Sequence, residues 1–160
     1  MATPLRRDDN LVPLSHDHHT ALARARDVQL GLDGTVPVEP AVLAATMTAF
    51  FSDHLALHFA LEESLLVPPL ADRVGADHPL LEQMRAEHLK LRALSEGLVN
   101  GGEGLDPTLP GRLTAWREAL SGHVRFEERQ LFPLVQEHLD EAQLAAIGRA
   151  LADHGPACPA

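Results

Sequence analysis

Apolar side chains return every three or four positions along four stretches of this chain, the rhythm of helices that each turn one face inward. The first runs from about Ser15 to Leu32, with Leu14, His18, Leu22 and Ala25 in phase. Ser15 reads as its N-cap with Asp17 in the first turn, and GLDGTVPVEP closes it. The second starts at Glu39 and Pro40, runs to about Leu70, and carries Phe51, Leu55, His58, Glu62 and Leu65 in phase. The third begins near Asp77 and Pro79, carries Leu81, Met84, His88 and Leu91, and ends at Asn100-Gly101-Gly102. The fourth, from about Pro107 to Leu139, carries Leu113, Trp116, Leu120, His123 and Glu127. After it, EAQLAAIGRALAD sets Leu144, Ile147 and Leu151 on one face of a short fifth helix. Pro68, Pro69 and Pro133 should kink or end their helices, because proline removes a donor and clashes with the preceding turn.

Strand signals are scarce, and short connections between long helices favour antiparallel neighbours. The expected fold is all-α: an up-down-up-down four-helix bundle over about 11–139, a short fifth helix over about 140–153, and a mobile tail over 154–160. The 160 residues suit one domain with a core of its own.

What breaks the apolar stripes is more informative than the stripes. His18, His58, Glu62, His88, His123 and Glu127 all stand in core phase. His58 and Glu62 are four apart, as are His123 and Glu127, so each pair projects from one helix face toward one point. A buried carboxylate without a partner costs several kcal/mol or takes up a proton. Two carboxylates beside four imidazoles in one small core need cations, and two divalent metals would supply them.

The pattern is also repeated. HFALEESLLVPPL (58–70) overlays HVRFEERQLFPLV (123–135), matching His58 with His123, Glu62-Glu63 with Glu127-Glu128, Leu66 with Leu131 and Pro68 with Pro133. Asp17-His18 and Glu87-His88 echo one another in the first and third tracts. Two similar helix pairs would place two half-sites about a pseudo-twofold axis, as a dinuclear centre requires.

Charge and composition narrow the partners. A net charge of −10 disfavours nucleic acid and anionic membrane, which need clustered Lys and Arg. The N-terminal MATPLRRDDNLVPL lacks a long apolar stretch, so cytoplasmic location is the default, and no uninterrupted apolar run reaches the roughly 18 residues of a membrane span. Ten histidines beside 23 acidic residues supply nitrogen and oxygen donors, and no thiolate stands in the stripes. Such donors suit iron or manganese, with zinc also compatible. The single cysteine, Cys158, permits no internal disulfide. Glu-x-x-His, His-Glu-x-x-His and Gly-x-Ser-x-Gly patterns are missing, which removes ferritin-like, metalloprotease and serine-nucleophile readings.

DHHTAL (17–22), HFALEESLLVPPL (58–70), AEHLKLRAL (86–94) and HVRFEERQLFPLV (123–135), in this order, resemble the hemerythrin-like, or HHE cation-binding, family. The resemblance implies a four-helix bundle with a non-haem di-iron centre whose ligands are His18, His58, Glu62, His88, His123 and Glu127. Oxygen-carrying hemerythrins use five histidines and two carboxylates, with His-x-x-x-His in the third helix and His-x-x-x-x-Asp in the fourth, whereas here Arg92 stands four after His88 and Glu127 four after His123. The likeness is therefore to the wider cation-binding group. It implies binding or sensing of oxygen, nitric oxide or iron, with a peroxide- or oxygen-consuming di-iron enzyme as the alternative. A metal-free helical interaction module is a third reading, set apart by metal content. His19 and His54 are further candidate ligands, the first as neighbour of His18 and the second one turn before His58. Glu63 and Glu128 fall off the inward face and are expected to meet water or arginine at the rim, Glu63 turning ligand only if its helix deforms at Pro68. Asp17 and Glu87 are expected in solvent or behind the ligands.

Overall fold

A computed structural model of the chain describes residues 6–99 and 106–159. Helix α1 spans Val12–Leu32 and has Pro13 in its first turn, where a missing N–H costs nothing. It therefore starts ahead of Ser15, which is not the cap; its hydroxyl donates instead to Glu128 Oε1 at 2.7 Å. Helix α2, Pro40–Phe50, runs through a π turn, Phe51–Leu55, into α3, Ala56–Leu65. In that turn the Ala56 N–H reaches back five residues to the Phe51 carbonyl. Within the continuous stretch Pro40–Leu65 an 18-residue window reaches a mean hydropathy of 1.2, long and apolar enough to cross a membrane by composition, but the stretch carries His58 and Glu62 buried in the bundle.

Pro68 meets the expectation of a helix end, whereas the helix runs on through Pro133 without a break. Helix α3 ends before Leu66, and α4, Val67–Val74, has Pro68 in its first turn. Helix α5 covers Pro79–Gly97, with the His78 ring accepting from the Leu80 N–H. The Asn100-Gly101-Gly102 break lies outside the described residues. Helix α6, Leu109–Phe126, passes through a second π turn, Glu127–Leu131, into α7, Phe132–His138, with Pro133 in its first turn. A capping box between Asp140 and Gln143 opens α8, Glu141–His154. No strand occurs among the described residues.

The core divides into two apolar clusters. One gathers Val28, Met47, Phe51, Leu55, Leu91, Leu113, Trp116 and Leu120. The other gathers Leu14, Leu66, Leu70, Met84, Leu131 and Phe132, with Leu144, Ile147 and Leu151 added by α8. Trp116 is fully buried and its indole N–H donates to the Ser95 hydroxyl at 2.9 Å. Leu22, expected inside, is 39% exposed; Ala21 and Ala25 carry the inward stripe of α1.

The segment after α8 also departs from expectation. Far from mobile, it is docked, with Ala157 and Cys158 buried. The Cys158 N–H donates to Asp17 Oδ1 at 3.0 Å, the Thr20 hydroxyl donates to the Pro159 carbonyl at 2.6 Å, and His54 Nδ1 lies 3.0 Å from the Ala157 carbonyl. Three backbone groups of a proline-rich, non-helical stretch thus find partners on α1 and the first π turn, which local sequence could not reveal.

Candidate metal centre

On each long helix the polar residues stand where one apolar cluster gives way to the other: His18 between Leu14 and Ala21, His88 between Met84 and Leu91. His58 and Glu62 separate Leu55 from Leu66, and His123 and Glu127 separate Leu120 from Leu131. All six are buried, and both glutamates are 0% exposed.

Their ligating atoms form two groups, each with its atoms within 4.8 Å of one another: His18, His58, Glu62 and Glu127, and Glu62, His88, His123 and Glu127. Both glutamates belong to both groups. Glu62 lies 2.9 Å from His58 Nε2, 3.6 Å from His18 Nε2 and 3.3 Å from His88 Nε2. Glu127 lies 3.0 Å from His18 Nε2, 3.2 Å from His123 Nε2 and 3.5 Å from His88 Nε2.

These atoms are close without being aligned. None of the four Nε2 atoms and none of the four Glu62 and Glu127 oxygens makes a hydrogen bond of acceptable geometry. Eight buried polar atoms left so would be severely destabilising, since each lone desolvated group costs about 1–3 kcal/mol. Donors that converge on common points rather than on one another suit cations, and imidazole nitrogen with carboxylate oxygen is a donor set for first-row metals.

The outer ring atoms are oriented by carboxylates. His58 Nδ1 meets Asp17 Oδ2 at 2.9 Å, His18 Nδ1 meets Glu128 Oε1 at 2.7 Å and His88 Nδ1 meets Glu63 Oε1 at 2.7 Å. Glu87 Oε1 stands 3.7 Å from His123 Nδ1. A carboxylate on Nδ1 favours the tautomer whose Nε2 lone pair faces inward. Glu63 and Glu128 do sit at the rim, their side chains 48% and 29% exposed, but each also reaches inward to a histidine ring. Their drift from the inward face of one helix delivers each to the histidine of a neighbouring helix, a partnership invisible when helices are read singly. Glu128 does meet an arginine as well, Arg7 at 3.0 Å. Burial would raise the Glu128 carboxyl, but His18, Ser15 and Arg7 hold it down to about 2. Flat faces complete the positioning: Phe59 stacks on His88 and Phe132 on His18. Glu63→Ala and Glu128→Ala should each weaken metal affinity roughly tenfold to a hundredfold while leaving the six inner residues in place. Competitive titration against a chelator measures this, and wild-type affinity in both variants would reject the orienting role.

The two remaining candidates stand apart from the cluster. His19 is exposed, about 100° round the helix from His18. His54 sits in the first π turn, turned to the Ala157 carbonyl and against Phe50. Cys158 offers no thiolate, because burial and the charges of Asp17 and Glu62 push its thiol up to about 12.

The family model described as hemerythrin HHE cation binding domain matches residues 10–135. The chain belongs to the hemerythrin HHE family. Neither the curated proteins nor the solved structures compared with the chain gave a match. The matched part of the HHE domain takes in α1 to α6, the second π turn and the start of α7; α8 and the docked segment lie beyond it. The electrostatics of the HHE cluster agree with its geometry. Burial would lower His58, but Glu62 and Asp17 raise it to about 9, and Glu127 and Glu62 likewise raise His88 to about 10 against the same burial penalty. His18 is also held well above its ordinary value, and Glu62, despite burial, well below.

Proposed function

We propose that this HHE domain holds two iron ions between its helices, one served by His18 and His58, the other by His88 and His123, with Glu62 and Glu127 shared. The supporting observation is that eight buried, unaligned donor atoms converge in two overlapping groups. The helices alternate in which apolar cluster they enter first, which supports an up-down-up-down path: α1 runs from Leu14 toward Val28, α3 from Leu55 toward Leu66. Two imidazoles and two shared carboxylates give each cation fewer donors than six-coordinate iron takes, so a small ligand has room to bind.

In this reading the protein binds or senses oxygen, nitric oxide or iron itself, the iron supplying reversible ligation or electron exchange when present. The chain's own part is to fix four imidazoles by carboxylates and aromatic faces, to balance charge with two glutamates, and to exclude bulk water. Elemental analysis of protein grown with iron should give two irons per chain, and oxygen, peroxide or nitric oxide should change its visible spectrum. A stable, reversible adduct supports binding, and rapid peroxide loss over many turnovers supports an enzyme instead. Protein with no stoichiometric metal would overturn the metal reading.

A further inference from the structure

The repeat pairs Asp17 with Glu87 and His58 with His123, yet the two halves are finished differently. Asp17 is 5% exposed and both its oxygens are used: Oδ2 meets His58 Nδ1 at 2.9 Å and Oδ1 accepts the Cys158 N–H at 3.0 Å. The Glu87 side chain is 24% exposed and stands 3.7 Å from His123 Nδ1, which has no aligned partner. Glu87 also lines a cleft of about 340 Å³ beside α5 and α6, with Lys90, Ala115, Glu118 and Gly122. What closes the first half is the segment after α8, which lies outside the family match.

We propose that this segment is a positioning element of the metal centre: by holding Asp17 through the Cys158 N–H it fixes His58, so that the cation on the His18–His58 side exchanges more slowly than the cation on the His88–His123 side. The inference rests on the metal reading above. A carboxylate gripped at one oxygen can turn about its χ angles, whereas one gripped at both presents a fixed acceptor to the ring behind a ligating nitrogen. The segment is held to the bundle independently of Asp17 by the Thr20 hydroxyl on the Pro159 carbonyl and by His54 against the Ala157 carbonyl. Asp17 is therefore clamped from a second anchored element, and Glu87 has no such clamp among the described residues. The backbone N–H carries the contact, so the thiol is dispensable.

Chain loaded with ferrous iron and challenged with excess chelator under anaerobic conditions should release two irons per chain in a fast and a slow phase. Cys158→Pro, which removes the N–H, should speed the slow phase roughly tenfold to a hundredfold and leave the fast phase unchanged. Cys158→Ala, which keeps the N–H, should match wild type. Thr20→Val, which only loosens the anchor at Pro159, should speed the slow phase less, and it decides the matter if the proline variant does not fold. Amide exchange at Cys158 in the full chain should slow on iron loading. Two irons released in a single phase, or a slow phase unmoved in Cys158→Pro and Thr20→Val alike, would overturn the inference alone. Wild-type protein that takes up no metal would overturn the metal reading and this inference with it.

Discussion

Glu62→Ala should bind no more than one cation per chain, and Glu127→Ala should behave the same way, because each carboxylate serves both donor groups. Glu62 faces His58, His18 and His88 within 3.6 Å, so its loss strips an oxygen donor from both positions at once. Losing His58 alone would strip a single position. Stability should fall with occupancy. Removing one partner of a buried charged set leaves the others uncompensated, a cost of about 3–5 kcal/mol even before the metal contribution is lost. An apolar replacement also leaves a cavity the helices cannot fully close. Elemental analysis with thermal denaturation checks both parts. Two cations retained per chain in Glu62→Ala would reject the shared-ligand role.

Metal-free and metal-loaded chain should respond to pH in opposite directions. In the metal-free fold His58 titrates at about 9 and His88 at about 10, against 6.5 for an unperturbed imidazole. Raised values mean that their ion pairs stabilise the fold fully below pH about 6.5 and stop doing so as pH climbs through about 9 to 10. The metal-free melting temperature should therefore decline from neutral to alkaline pH. A cation needs the same rings deprotonated, so uptake should strengthen with pH and expel protons. With His18, His58 and His88 all raised, about three protons should leave per chain near neutrality. Melting curves from pH 6 to 10 with and without iron, and proton release in weak buffer, measure the two senses. Parallel pH curves for both forms would count against these histidines as the metal-binding groups.

Much of the cluster was legible in sequence because its signal is periodic. Six polar residues in core phase need only the helical repeat to be located, and all six are buried together. Pro68 likewise marks a real break, since proline acts on its own backbone, whereas Pro133 is carried inside a helix that continues past it from the second π turn. What stayed hidden depends on partners distant in sequence. The histidine partners of Glu63 and Glu128 are not readable, because phase along one helix says nothing about which neighbour receives the side chain. Ser15 resembled a cap, but Pro13 had already started the helix and left its hydroxyl free for Glu128. Spacing alone puts Leu22 inside, whereas the smaller Ala21 and Ala25 are the buried residues of that stretch of α1. The segment holding Cys158 lacked any periodicity, so its docking, made by backbone groups, left no trace in residue type. The π turns were equally unannounced. Each widens a helix next to the cluster, one ahead of His58 and one beginning at Glu127 itself.

The chain has one tryptophan and no tyrosine, and Trp116 lies two helical turns before His123, sealed from water and fastened to Ser95. Its ultraviolet emission therefore comes from a single buried fluorophore, roughly 10 Å of helix rise before His123. A coloured or paramagnetic ion held by the cluster would drain that excited state, giving an unlabelled gauge of filling.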